Sequence, residues 1–173
     1  MKLARARLPE CISSRALPRV LFSCFALAFA VALPSISFAQ SAEEIAKARD
    51  EVWAKEKTIY TYEQRNLGGD YYYKISAEGY LGWVYGTPKP FHKPKAPPTP
   101  LTTPTKEVIT PEFTDFSLEG NTAILYYTNH RTMLRDGTPV DQYFANIHVF
   151  IREENDWKLL ASMSRLEPAK DNK

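Results

Sequence analysis

Apolar side chains recur at helical spacing across residues 41–64. Ile45, Ala48, Val52, Trp53, Ile59, Tyr60 and Tyr62 share one side, and Glu43, Lys47, Glu51, Lys55 and Glu63 occupy the remaining arc. The pattern predicts one amphipathic helix with Trp53 in the core. Ser41 and Glu44 mark its start, at the spacing where a hydroxyl and a carboxylate each satisfy a free N–H of the first turn. Asn66-Leu67-Gly68-Gly69 marks its end, because glycine reaches the left-handed backbone that closes a helix. Asp70 is then placed to cap a short helix through Tyr71, Tyr72, Tyr73 and Ile75. A short aromatic strand follows at 79–85, and longer ones at 107–118, 121–134, 141–152 and 157–165. Glu119-Gly120-Asn121, Asp136-Gly137 and Asn155-Asp156 supply turns, so the later strands form an antiparallel meander. Residues 87–104 hold seven prolines with Lys89, Lys93 and Lys95 among them, which excludes helix and inner strand and leaves a stiff surface loop.

Two strands that share a buried face must pair residues whose side chains point the same way. A turn centred on Gly137 sets Arg131 opposite Tyr143, Asn129 opposite Ala145, Tyr127 opposite Ile147, Leu125 opposite Val149 and Ala123 opposite Ile151. The other face pairs Tyr126 with His148 and Ile124 with Phe150, with Thr128, Asn146 and His130 nearby. A curved sheet would turn the first face inward, closed by aliphatics and opening to Tyr127, Asn129, Arg131 and Tyr143 at the mouth of a ligand pocket, with Trp83 and Tyr85 as apolar cover. With the faces reversed, His148 and Tyr126 become the general-base pair of the chain.

Composition changes the picture mainly at the N-terminus. The chain has 173 residues, 44% apolar and 24% charged, which fits one globular domain and excludes disordered or membrane-embedded classes. Residues 1–39 carry Lys2, Arg5, Arg7, Arg15 and Arg19, then the apolar run 20–33, Pro34 and the small-residue site Ser37-Phe38-Ala39. This is the layout of a signal peptide cleaved near Ala39-Gln40, and it predicts a secreted or periplasmic protein. As a helix the run would span about 21 Å, short of the ~30 Å hydrocarbon core. Cleavage would take five of the 22 basic residues and one of the 20 acidic ones, turning +2 into −2 and removing the electrostatic motive for nucleic acid. It would also remove both cysteines, Cys11 and Cys24, so no disulfide is expected and the core must hold the domain.

The order of these pieces carries a resemblance. The helix, the Gly69-Asp70 break, Gly82-Trp83, Asn121-Thr122-Ala123-Ile124-Leu125, His148-Val149-Phe150-Ile151-Arg152 and Trp157-Lys158-Leu159-Leu160-Ala161-Ser162 together resemble the SnoaL-like branch of the nuclear transport factor 2-like superfamily, over residues 44–167. The resemblance implies an α+β fold, a cone-shaped curved sheet wrapped over N-terminal helices with a cavity between them, often dimerising through the outer sheet face. Its members include ketosteroid isomerases, polyketide cyclases, dehydratases and epoxide hydrolases, so fold alone does not name a reaction. The isomerases use an inward carboxylate as general base. No Asp or Glu falls on the expected inward face, where Ile147 stands at the corresponding place, so that mechanism is not expected.

What remains is a cation, phenols and an amide. Arg131 can grip a carboxylate by paired hydrogen bonds, and Tyr127, Tyr143 and Asn129 can orient a carbonyl or hydroxyl. The three histidines are scattered, with His92 in the proline-rich loop, so no metal and no cofactor is expected. Two functions stand: an exported domain binding a small, partly apolar and anionic ligand, with a homodimer as its assembly, or an acid–base enzyme using the same cavity.

Overall fold

The computed structural model of the protein describes residues 40–168. The signal-peptide reading of 1–39 lies outside them. Among the described residues no helix is long and apolar enough to cross a membrane.

Helix α1 (Ala42–Ile59) opens on the expected capping box: the Glu44 N–H donates to Ser41 Oγ at 3.1 Å, and the Ser41 N–H donates to Glu44 Oε2 at 2.8 Å. The single helix expected over 41–64 is in fact two. The chain breaks at Tyr60, and Thr61, in extended backbone, accepts from the Gln64 N–H to cap α2 (Tyr62–Asn66). A threonine hydroxyl that can bond forward to the backbone offers the chain this alternative to a continuous ladder. The break sets the Tyr60 ring against the sheet at the end of α1.

Helix α3 (Asp70–Ile75) follows Gly68 and Gly69, whose φ angles of 67° and 91° are left-handed. Gly69, not Asp70, is the N-cap residue, and Asp70 instead lies 2.7 Å from Lys74 Nζ one turn on. Gly68 is required twice over, since a Cβ there would stand 2.4 Å from the Thr99 carbonyl of the proline-rich loop.

The strands are β1 (Ser76–Trp83), β2 (Phe91–His92), β3 (Val108–Glu119), β4 (Thr122–Met133), β5 (Pro139–Glu153) and β6 (Asp156–Leu166). They make one unclosed sheet in the order β2-β1-β6-β5-β4-β3, antiparallel except where β1 runs parallel to β6. The meander bounds fall within two residues of those expected. Register shifts in β1, β3, β4 and β5 mark the bulges that bend the sheet. Ala48 and Val52 of α1 press against Tyr80, Ala123, Leu125, Tyr127, Phe150, Trp157 and Leu159 on the concave side, and all of these are buried. Trp53, expected in the core, is half-buried and meets Phe113 edge-on at 5.7 Å.

The proline-rich segment contributes only the two-residue edge strand β2. It is tied down near both ends. Lys93 Nζ donates to the Ser76 carbonyl and to Glu78, while Asn66 accepts from the Leu101 and Thr105 N–H groups.

The middle hairpin corrects the pairing expected from Gly137. Leu134 and Thr138 close a three-residue turn in which Gly137 takes φ 93°, and between the pairs Met133–Pro139 and Arg131–Gln142 a bulge adds one residue to β5. Arg131 therefore faces Gln142, Tyr127 faces Asn146, Leu125 faces His148 and Ala123 faces Phe150. On β4 the expected inward set is correct. On β5 it is inverted: Phe144, Asn146, His148 and Phe150 are buried, while Tyr143, Ala145, Ile147, Val149 and Ile151 lie on the outer side. The Leu125–Val149 face that was to line a hollow thus does not exist as one face. The outer side misleads because it is apolar too, so alternation alone cannot rank the two.

Candidate functional site

The inversion brings His148 to the concave side, where α1 supplies what the sheet lacks. Glu56 lies one turn beyond Val52 and two beyond Ala48 on the buried stripe, and it is completely enclosed. Its Oε2 lies 2.7 Å from His148 Nδ1. Since a carboxylate oxygen accepts, the ring donates Nδ1–H there and Nε2 is left facing the Tyr127 hydroxyl at 3.2 Å. The Tyr127 and Tyr60 hydroxyls are 2.9 Å apart, and Asn129 Nδ2 donates to Tyr60 Oη at 2.9 Å. One continuous line thus runs Glu56–His148–Tyr127–Tyr60–Asn129. Two acceptors along it, Glu56 Oε1 and Asn129 Oδ1, are buried without a hydrogen-bond partner.

Beside the line, the Tyr72 hydroxyl lies 2.7 Å from that of Tyr80 and 2.9 Å from Ser162 Oγ, and Tyr80 bonds the same serine. The imidazole meets the rings of Tyr72 and Tyr127 edge-on. Burial pushes the Tyr60 phenol above its ordinary value, and the Glu56 charge pushes the same way; hydrogen bonds from Tyr127 and Asn129 offset part of this. Burial likewise drives Tyr127 and Tyr72 well above the ordinary range, and Tyr80 upward. All four therefore stay protonated at neutral pH, as donors that can pass a proton on.

A cleft of about 440 Å³ lies over this line, with Val84, Phe91, Ile109 and Phe144 among its apolar walls and Tyr60, Tyr72, Tyr127, Asn129 and His148 at its polar side. Three of the expected site residues, Tyr127, Asn129 and Arg131, line it together with Tyr85. Tyr85 is exposed at the rim, edge-on to Phe144 at 5.4 Å, its N–H donating to Ser164 Oγ.

Trp83 and Tyr143 are not there. Trp83 projects from the outer side of β1 beside Met163, and Tyr143 stacks on His130 at 4.2 Å, with Asp141 2.7 Å from His130 Nε2. The reversed-face pair of His148 with Tyr126 does not form either, since Tyr126 stays on the outer side and the hydroxyl at His148 is that of Tyr127.

Arg131 lies over the Phe144 ring at 4.9 Å and donates to Gln142 Oε1, with Glu107 at 3.4 Å. Arg135 is 3.9 Å from the other Glu107 oxygen, and Arg65 donates to the Glu107 main-chain carbonyl. Two guanidinium groups thus share the Glu107 carboxylate and a third holds its main-chain carbonyl, which leaves a positive excess at the mouth. Among the described residues no group of three or more His, Cys, Asp or Glu is placed to hold a metal ion.

Sequence reasoning missed Glu56, and with it the carboxylate that the sheet does not provide. The signal was present: positions 48, 52 and 56 repeat every four residues, so a charge at the third continues an apolar stripe.

Neither a family model nor a curated protein matches the sequence. Solved structures do match the fold. A nuclear transport factor 2-like protein from Prochlorococcus shares 14% identity at a TM-score of 0.55, covering 71% of this chain and 95% of its own. One from Cytophaga hutchinsonii shares 14% at 0.52, covering 69% and 98%. A ketosteroid isomerase-like protein from Parabacteroides distasonis shares 11% at 0.51, covering 69% and 88%. The chain has the α+β nuclear transport factor 2-like fold. A ketosteroid isomerase-like protein stands among those that share it, as the resemblance in the sequence implies; identities this low speak for the fold alone.

Proposed function

We propose that this is an exported domain that binds one small, partly apolar ligand in the cleft over the His148 line. The observation that carries the reading is the combination of apolar walls with a polar line held in place from Glu56 to Asn129. The export half rests on the leader layout of residues 1–39.

Titration with the neutral fluorophore N-phenyl-1-naphthylamine tests the cleft. The reading expects saturable one-site binding that Val84→Trp blocks. Equal binding by both proteins, or none by either, contradicts it. Expression with export and intact-mass measurement tests the leader: the expected N-terminus is at or near Gln40, and an unprocessed chain contradicts it.

The assembly proposed is a homodimer through the outer sheet face. Trp83, Met163, Ile147 and Tyr126 are register neighbours across β1, β6, β5 and β4, with 52%, 54%, 37% and 37% of their surface exposed. A row of large apolar groups of this kind favours a covered face.

A second reading, acid–base turnover in the same cleft, is favoured by the Glu56–His148 pair. A cleft group that gives its proton to Tyr60 Oη lets the Tyr60 proton pass to Tyr127, and the Tyr127 proton to His148 Nε2. One proton is then stored as imidazolium beside a carboxylate, without a free phenolate. Proton exchange of enolisable ketones in D₂O, followed by NMR, measures this. Exchange that His148→Gln abolishes supports it; exchange that survives the substitution rejects it.

A further inference from the structure

The residues at the two ends of the cleft specify its occupant more narrowly than an apolar ligand with a charge. Asn129 is buried, lines the cleft and spends its Nδ2 on Tyr60, yet its Oδ1 accepts nothing. A buried acceptor without a donor is costly, so this position suits an arriving O–H or N–H. An amide turns softly about χ2, which lets Oδ1 reach the cleft without moving the strand.

Two residues on along β4, on the same face, stands Arg131, and two residues alternating on one strand face are about 7 Å apart. Arg131 and Arg135 share the Glu107 carboxylate, and Arg65 adds a third cation beside it, so the mouth keeps unneutralised positive charge. Arg135 is the freest of the three, with 73% of its side chain exposed. Between the two ends lies the Phe144 ring, under the Arg131 guanidinium.

We infer that the cleft takes a hydroxylated carboxylic acid built on a single ring, its hydroxyl donating to Asn129 inside and its carboxylate held by Arg131 and Arg135 at the mouth. The inference rests on the cleft reading above. A six-membered ring with the two groups at opposite ends is about as long as the backbone step from Asn129 to Arg131, about 7 Å. Its faces suit the Phe144 side of the cleft. The hydroxyl points inward because Asn129 is buried, and the acid outward because Arg135 is open to water.

Isothermal titration of the whole protein with 4-hydroxybenzoate, benzoate and methyl 4-hydroxybenzoate tests this, with N-phenyl-1-naphthylamine displacement alongside. Loss of the hydroxyl or of the charge is each expected to weaken binding about tenfold. Arg135→Gln, at an exposed position, is expected to weaken 4-hydroxybenzoate about tenfold and to leave benzoate still weaker than it. Equal affinity of benzoate and 4-hydroxybenzoate overturns the inference, as does an Arg135→Gln protein that binds the acid unchanged. If the fluorophore binds and no acid displaces it, the inference fails while the cleft reading stands. If neither fluorophore nor acid binds, both fail.

Discussion

Glu56 is the residue whose removal the structure penalises most clearly. It is 0% exposed, its Oε2 holds His148 Nδ1 at 2.7 Å, and His148 is itself 3% exposed. Glu56→Ala leaves the imidazole N–H sealed without an acceptor and opens a void against Val52. Breaking a buried pair by deleting one partner costs about 3–5 kcal/mol. For a domain of this size each kcal/mol lowers Tm by about 3–5 °C, so the expected loss is about 10–25 °C. Glu56→Gln keeps the shape and an oxygen that accepts from Nδ1–H, and it is expected to cost only about 1–2 kcal/mol. Urea denaturation gives both values, with an unchanged slope showing that the transition stays two-state. His148→Phe completes a double-mutant cycle, in which the pair should couple by about 2 kcal/mol. A Glu56→Ala protein within about 1 kcal/mol of wild type, or a coupling near zero, would refute the claim that this pair holds the floor of the cleft.

Other outcomes follow from the same geometry. Tyr60, Tyr72, Tyr80 and Tyr127 keep their protons in the fold beyond the ordinary phenol value near 10, so the folded state binds more protons than the unfolded one at high pH. Their contribution is complete below about pH 10 and falls above it, by up to about 1.4 kcal/mol per pH unit for each phenol. Absorbance at 295 nm should show these four of the ten tyrosines ionising only together with unfolding, whereas ionisation of all ten ahead of unfolding would contradict their burial. Gly82→Ala sets a Cβ 2.2 Å from Tyr80 Oη and 2.9 Å from Phe91 Cζ, and because the Tyr80 ring is enclosed it should cost about 1–3 kcal/mol in thermal unfolding. An unchanged Tm would show that the ring can move away. Ile147→Lys, on the outer row, should halve the mass seen by sedimentation velocity if the proposed dimer exists, and leave it unaltered if it does not.

Much of the fold was legible because each signal was local. The Ser41–Glu44 capping box, the Gly68-Gly69 stop and the four meander strands all depend on neighbours in sequence, and all are found. The concave side of β4 was legible for the same reason, since Ala123, Leu125 and Tyr127 alternate without interruption. The site was less so. A bulge on β5 between Pro139 and Gln142 has no strong mark in the sequence, and that one residue moved His148 from the outer side to the centre. The helix break at Thr61 was hidden inside a pattern that continued to Tyr62. Glu56 was visible as a charge on an apolar stripe, but its partner stands 92 residues away, and only the folded sheet brings them together.

The proposed ligand cleft depends on His148 at its floor, on the concave side, bonded through Nδ1 to Glu56 and through Nε2 to Tyr127. Long-range ¹H–¹⁵N correlation spectra of the imidazole rings measure this directly, since the protein has three histidines. One ring is expected to be fixed as the Nδ1–H tautomer and lost in His148→Gln, its nitrogens shifting when N-phenyl-1-naphthylamine binds while those of His92 and His130 do not. A His148 ring that exchanges between tautomers like a solvent-exposed imidazole, and ignores the ligand, would contradict it.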